Sequence, residues 1–234
     1  MLDKLVFKIF GFTEQEIRSK LSESRLSPML LEENCRDAKV VLTTEEGGGD
    51  ALTYRMYALF KGCVYSDKDE SLAQAVLDRL RFYGKKLSVA ESLTGGMITS
   101  ELVKVPGCSE CLMEGAVTYS NEAKIARLGV NPSTLSTFGA VSKQVAAQMA
   151  QGLMRTGVDY AISTTGIAGP TGGTAEKPVG LVYIAVSDEI NTNVTECRFE
   201  GTREEIRTLS ANTALFLLWK KVVKPIDFDT MVIE

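Results

Sequence analysis

From Leu72 onward, apolar stretches of strand length alternate with stretches of helical period, and turn residues punctuate them. That alternation limits the fold more than any other feature. Leu72, Ala73, Val76, Leu77 and Leu80 recur at helical spacing and form one apolar face, which Gly84 ends. Acidic residues ahead of it, in Ser66-Asp67-Lys68-Asp69-Glu70, suit the positive end of a helix dipole. Residues 87–90 read as a strand, 98–105 as helix and 115–119 as a strand. Ser142 caps a helix carrying Val145, Ala146, Met149, Ala150, Leu153 and Met154 inward, ended by Gly157. Residues 160–164 read as a buried strand. Residues 181–186 and 194–199 read as a hairpin around Asp188–Asn191. Thr202 and Glu205 form a capping box that opens a last helix with Ile206, Leu209, Thr213, Phe216 and Leu217 on one face. Strands and helices in alternation predict an α/β domain whose sheet is covered by helices.

Upstream, Leu5, Phe7 and Ile9 alternate as in a half-buried strand. Thr13 and Glu16 form a capping box for a helix that turns Ile17 and Leu21 inward, with Ser27-Pro28 beyond it. Residues 39–44 are strand-like, Gly47-Gly48-Gly49 is a loop, and 52–60 is an apolar helical stretch. A small α+β unit over residues 1–65 therefore precedes a larger domain over 66–234, with the charged Ser66–Glu70 stretch as the boundary.

Composition narrows the chemistry. The 234 residues contain no histidine, so Ser-His-Asp and Cys-His triads and imidazole zinc sites are excluded. Proton transfer falls to carboxylate, lysine, tyrosine or cysteine. A formal net charge of −4 gives no strong nucleic-acid footprint. No apolar run is long enough to cross a bilayer, so no membrane partner is expected. The start, Met1-Leu2-Asp3-Lys4-Leu5, lacks the apolar core of a signal peptide, and a cytoplasmic location is expected. The five cysteines (Cys35, Cys63, Cys108, Cys111, Cys197) are an odd number and do not suggest a disulfide framework.

Four segments can carry chemistry. Ala90-Glu91-Ser92-Leu93-Thr94-Gly95-Gly96 follows a strand and precedes a helix, where α/β folds place ligands. Its hydroxyls and glycines can offer donors to an anion or oxyanion, although an ordinary capped turn reads the same way. Val105-Pro106-Gly107-Cys108-Ser109-Glu110-Cys111 contains a C-x-x-C without further metal ligands, and a serine held just after a Pro-Gly turn. Tyr119-Ser120-Asn121-Glu122-Ala123-Lys124 places a lysine one helical turn past a strand end. With histidine absent, a desolvated lysine is the natural base for a serine nucleophile, whereas most lysines are simply solvated. Thr164-Thr165-Gly166-Ile167-Ala168-Gly169-Pro170-Thr171-Gly172-Gly173 is dense in glycine after a buried strand. Either the backbone there approaches something closely or the loop is flexible. It matches neither nucleotide-binding glycine pattern.

Taken in order, Val89-Ala90-Glu91-Ser92-x-Thr94-Gly95-Gly96, Val105-Pro106-Gly107-x-Ser109, Tyr119-Ser120-Asn121-Glu122-Ala123-Lys124, Gly139-Ala140-Val141-Ser142, Thr165-Gly166-Ile167-Ala168-Gly169-Pro170 and Glu176-Lys177-Pro178-Val179-Gly180 resemble the C-terminal domain of the CinA (competence/damage-inducible protein) family, the nicotinamide-nucleotide amidases. The resemblance covers about residues 70–222, and residues 1–65 resemble the middle domain of longer family members. It implies a three-layer α/β/α sandwich that hydrolyses the carboxamide of nicotinamide mononucleotide to nicotinic acid mononucleotide and ammonia. It implies neither metal nor organic cofactor, and it implies a homo-oligomer.

On that resemblance, Ser109 is the expected nucleophile, with Ser92 the open alternative. Lys124 is the expected base and later proton donor, Ser92 its relay and Tyr119 a support. Thr94, Gly95, Gly96, Thr165, Gly166, Ala168, Gly169, Gly172 and Gly173 are expected to line the substrate or its oxyanion. Arg203 or Arg207, with the N-terminus of the last helix, is expected to meet the nucleotide phosphate. Leu93 and Cys108 depart from the cysteine and serine common at those family positions. A catalytically silent binding or regulatory module linked to competence or DNA damage, and a thiol-redox protein using Cys108, are the competing readings. A Cys108–Cys111 bridge would be expected to distort a site built on Ser109.

Overall fold

The computed structural model describes residues 2–222. Its Cα packing separates two compact units, one of residues 2–75 joined by 219–222, the other Val76–Leu218.

In the first unit, β1 (Leu2–Phe10) pairs antiparallel with β3 (Asp37–Glu45) along its whole length. β2 (Leu30–Asn34) and β4 (Val64–Ser66) complete a sheet ordered β2-β3-β1-β4. Helices α1 (Glu14–Glu23) and α2 (Gly49–Leu59) supply Ile17, Leu21, Leu52 and Met56 to a core with Phe7, Ile9, Val40 and Leu42. The expected capping box forms: the Thr13 hydroxyl accepts from Glu16 N–H at 3.3 Å and Thr13 N–H donates to the Glu16 carboxylate at 2.7 Å. β2 was not expected. Its polar, half-exposed sequence gains strand identity only from β3, across a turn at Cys35 and Arg36 whose φ values are 49° and 67°. β4 was also not expected, being three residues long.

The second unit confirms the α/β sandwich. After α3 (Leu72–Phe82) come β5 (Leu87–Glu91), α4 (Met97–Val103) and β6 (Leu112–Val117). Then α5 (Asn121–Leu128), α6 (Pro132–Phe138) and α7 (Lys143–Met154) lead to β7 (Tyr160–Gly166). β8 (Leu181–Ser187), β9 (Thr192–Arg198) and α8 (Arg203–Val222) end the described chain. The sheet order is β6-β5-β7-β8-β9; β6, β5 and β7 are parallel, and β8 and β9 run antiparallel to their neighbours. Two periodicities meet here. Ala90, Ala161 and Ala185 point to one face, where they pack with Val145, Ala146, Met149, Ala150 and Leu153 of α7 and Leu128 of α5. Val89, Ile162 and Ile184 are buried on the other face, the side of α4. α6 was not expected because Leu135 is its only buried residue, although Asn131 caps it and Pro132 fills its first turn. No helix among the described residues is long and apolar enough to cross a membrane.

All three parallel strands end at one edge of the sheet, and the turns that follow them meet there. The α5–α7 packing beneath depends on a close approach at Gly152, where a Cβ would stand 2.1 Å from the Leu128 carbonyl oxygen. By helix propensity alone, Gly152→Ala would stabilise by about 1 kcal/mol. The backbone clash reverses the sign, and we expect a net loss of about 1–3 kcal/mol, read as a lower urea midpoint with an unchanged slope.

Candidate active site at the strand ends

Side chains alternate along β5, so Glu91 and the following Ser92 point to opposite faces of the sheet. The Glu91 carboxylate is 0% exposed. It accepts from the backbone N–H of Gly96 (2.9 Å), Ile98 (3.1 Å) and Thr99 (2.9 Å) and from the Thr99 hydroxyl (2.7 Å). A buried carboxylate at a helix N-terminus satisfies donors that would otherwise be orphaned and is favoured by the dipole. It also pulls α4 down beside the strand end, leaving a tight turn through Ser92–Gly96.

Ser92 faces α5. The Lys124 ammonium group lies 3.1 Å from Ser92 Oγ, 2.8 Å from the Thr118 carbonyl oxygen and 3.1 Å from that of Tyr119. Lys124 is only 1% exposed and belongs to the face of α5 that packs inward. The Ser120 hydroxyl caps this helix by accepting from Ala123 N–H at 3.1 Å, which fixes where Lys124 enters. Burial lowers its pKa from 10.5 to about 8, and the charge of Glu122 opposes that only in part. The valences of a neutral amine fit this cage: two N–H groups for two carbonyls, and a lone pair for the Ser92 hydroxyl.

Of the two serines, Ser92 is the one this chain brings to Lys124. Ser109 sits in a short 3-10 turn (Cys108–Glu110) before β6, whereas Lys124 follows the other end of that strand. Ser109 is exposed, and the length of β6 separates it from Lys124. Strand direction carried this information: in a parallel sheet, residues before a strand and residues after it lie on opposite edges. The Cys108–Cys111 pair shares the Ser109 end; both thiols are free, and Cys111 is buried with its pKa raised by that burial. Ser109 and the two cysteines thus lie at the end of β6 away from Ser92 and Lys124.

Other expected residues are near the edge but differently engaged. Gly96 N–H is taken by Glu91 and Gly95 N–H by the Ser92 carbonyl at 3.1 Å, so neither is available to an oxyanion. The N–H groups of Leu93 and Thr94, between them, have no hydrogen-bond partner among the described residues. The Thr94 hydroxyl is buried against that of Thr164 at 2.8 Å, and the Thr165 hydroxyl donates to Ala140 O at 2.8 Å. Tyr119 meets Lys124 through its carbonyl; its ring is 60% exposed, and its phenol oxygen accepts from Arg203 at 3.2 Å.

Arg203 also donates to Gly169 O at 2.7 Å, and Arg207 to Leu93 O at 3.2 Å and Thr94 O at 2.9 Å. Both guanidinium groups thus tie α8 to the turn and loop. The N-terminus of α8 expected to meet phosphate is closed by the Thr202–Glu205 capping box. In the glycine-rich loop Ala168 is buried, and Gly166, Gly169 and Gly173 each face Leu181, Val182 or Val179 too closely for a Cβ. Gly172 has room, with Ile167 at 3.8 Å. The loop is not slack: Lys177 Nζ donates to Phe138 O at 2.5 Å and Val141 O at 2.7 Å. Glu91, Thr118, Thr164 and Lys177 were not singled out from sequence, although all four lie inside or beside the quoted motifs. Among the described residues no group of His, Cys, Asp and Glu side chains could hold a metal ion.

Residues 69–222 match the family described as the CinA C-terminal domain. A "Putative competence-damage inducible protein" of Caldicellulosiruptor saccharolyticus is 40% identical over 230 residues, covering 93% of this chain and 56% of the relative. A "CinA-like protein" of Kosmotoga olearia is 49% identical over 153 residues, covering 65% of this chain and 37% of its own length. The chain spans about half the length of the first of these relatives. Among solved structures, the competence/damage inducible protein CihA of Agrobacterium tumefaciens is 46% identical with a TM-score of 0.61, covering 63% of this chain and 91% of that one. The competence damage-inducible protein A (ComA) of Klebsiella pneumoniae is 34% identical with a TM-score of 0.63, over 64% and 94% respectively.

The lysine environment is directly measurable. In a pH series of lysine 13Cε resonances, one lysine is expected to titrate near pH 8, well below the ordinary 10.5, and to disappear in Lys124→Met. A full set of lysines titrating near 10.5 would contradict the burial of this amine.

Proposed function

Since the chain belongs to the CinA family, we propose that it hydrolyses the carboxamide of nicotinamide mononucleotide at the β5–β6 edge, with Ser92 as nucleophile and Lys124 as base. The observation that carries this reading is the 3.1 Å contact between Ser92 Oγ and a fully buried Lys124 amine.

The steps follow from the valences. Neutral Lys124 takes the Ser92 proton while Oγ adds to the carboxamide carbon, and the carbonyl electrons move to oxygen. Leu93 and Thr94 offer the unengaged N–H groups adjacent to that oxygen, the position a turn after the nucleophile supplies in acyl transfer. The Lys124 ammonium, still held by the Thr118 and Tyr119 carbonyls, then protonates the departing nitrogen, and ammonia leaves. Lys124, neutral again, activates a water that cleaves the ester, giving the acid and restoring Ser92. Histidine is not needed because burial tunes the lysine instead.

Purified protein incubated with nicotinamide mononucleotide should release ammonia and nicotinic acid mononucleotide, both followed by NMR. Ser92→Ala and Lys124→Ala should each lower kcat/KM by at least about 10³-fold, and Ser109→Ala should leave it within about twofold. No turnover by clean wild-type protein would abandon the amidase reading. Full activity in Ser92→Ala would keep the reaction and discard the assigned nucleophile.

The pH dependence has a definite sign. The competent form is the neutral amine, so kcat/KM should rise about tenfold per pH unit below pH 8 and level off above it. At pH 6 about 1% of the plateau should remain.

A further inference from the structure

Thr118 lies one residue past β6, and its N–H donates to Glu91 O at 2.8 Å, continuing the ladder beyond the Glu91–Val117 pair. On the other side of β5, Ser92 N–H donates to Thr164 O at 3.1 Å in the same way. In-register neighbours in a parallel sheet share a face, so Thr118 stands beside Ser92 on the strand next to it, about 4.8 Å away across the sheet. Thr118 is 1% exposed, and its hydroxyl has no hydrogen-bond partner among the described residues. Native interiors satisfy nearly all such groups, and an exception inside a reactive cluster asks for a partner that arrives with the chemistry. Its own carbonyl already holds Lys124.

We propose that the Thr118 hydroxyl is a positioning residue for Ser92, bonding Ser92 Oγ in both protonation states of the pair. When Lys124 is charged, its third N–H points at Ser92 Oγ, and the Ser92 proton needs another acceptor, which is Thr118 Oγ1. When Lys124 is neutral, the Ser92 proton turns to the lysine lone pair, and the Thr118 O–H turns to donate to Ser92 Oγ. A hydroxyl serves both roles because it is donor and acceptor at once. A rotation of the Thr118 or Ser92 side chain makes the bond, and the nucleophile stays aimed through the cycle. This inference rests on the Ser92–Lys124 reading and adds a third member to it.

The test compares wild type, Thr118→Val, Thr118→Ser and Ser92→Ala. Two rates are read: hydrolysis of nicotinamide mononucleotide, and covalent sulfonylation of Ser92 by phenylmethylsulfonyl fluoride, located by mass spectrometry. Thr118→Val keeps the shape and removes the hydroxyl. It should lower kcat by about 10- to 100-fold, leave KM within about twofold and slow sulfonylation in parallel. Thr118→Ser should restore most of both rates. The melting temperature of Thr118→Val should change by only a few degrees, since valine keeps the buried shape and a single hydroxyl bond is lost. A merely structural threonine predicts unchanged rates in both variants, and wild-type rates in Thr118→Val would overturn the proposal. If Thr118→Val does not fold, Thr118→Ala is read by the same criteria. Slowed sulfonylation without any amide turnover in wild type would retain the role of Thr118 and remove the amidase reading.

Discussion

The buried Glu91 carboxylate is the interaction on which the strand-end edge depends. Three backbone N–H groups and one hydroxyl converge on it within 3.1 Å. An ionised carboxylate taken out of water is tolerable only with this many donors, and the first turn of a helix supplies them. The bond dictates more than the end of α4. It draws the helix against β5 so closely that the intervening turn needs left-handed backbone at Gly95 and Gly96, with φ of 59° and 95°. Because side chains alternate, anchoring Glu91 on one face commits Ser92 to the other. A single strand end therefore delivers a structural anchor and the hydroxyl that meets Lys124 in opposite directions.

The opposite face supplies a different physics. Among the described residues no carboxylate contacts the Lys124 amine, only two carbonyl dipoles and a hydroxyl. A carboxylate would hold the lysine charged, and carbonyls do not. They accept N–H bonds from the amine and from the ammonium alike, so neither protonation state is locked. Desolvation then shifts the balance toward the neutral form. Capping makes this placement reproducible: the Ser120 hydroxyl fixes the first turn of α5, and the lysine one turn later is carried into the sheet rather than into solvent.

Much of this was legible in sequence, for reasons that can be named. Lys124 was found because the absence of histidine left few bases, and a lysine one turn past a strand end points back at the same edge. The capping boxes at Thr13 and Thr202 carried their geometry in residue type and spacing, and both formed. The separation of Ser109 from Lys124 is written in strand direction, not in distance along the chain. β6 carries the chain across the whole sheet between Ser109 and Lys124, so nearness in sequence meant opposite edges in space. β2 was hidden for another reason: an edge strand of mixed polarity takes its identity from its partner.

The glycine-rich loop shows the same lesson at finer grain. Glycine density after a buried strand demands close backbone approach, but it does not say to what. Here the near neighbours are the chain itself. A Cβ on Gly169 would stand 2.6 Å from a Val179 methyl, and one on Gly173 would stand 2.8 Å from the Val179 nitrogen. Lys177 ties the loop's far side to the segment before α7, and Arg203 ties Gly169 to α8. The glycines let the loop fold onto itself, and the two cations hold it there. A wall built this way leaves Gly172 as the member of the set with space beside it.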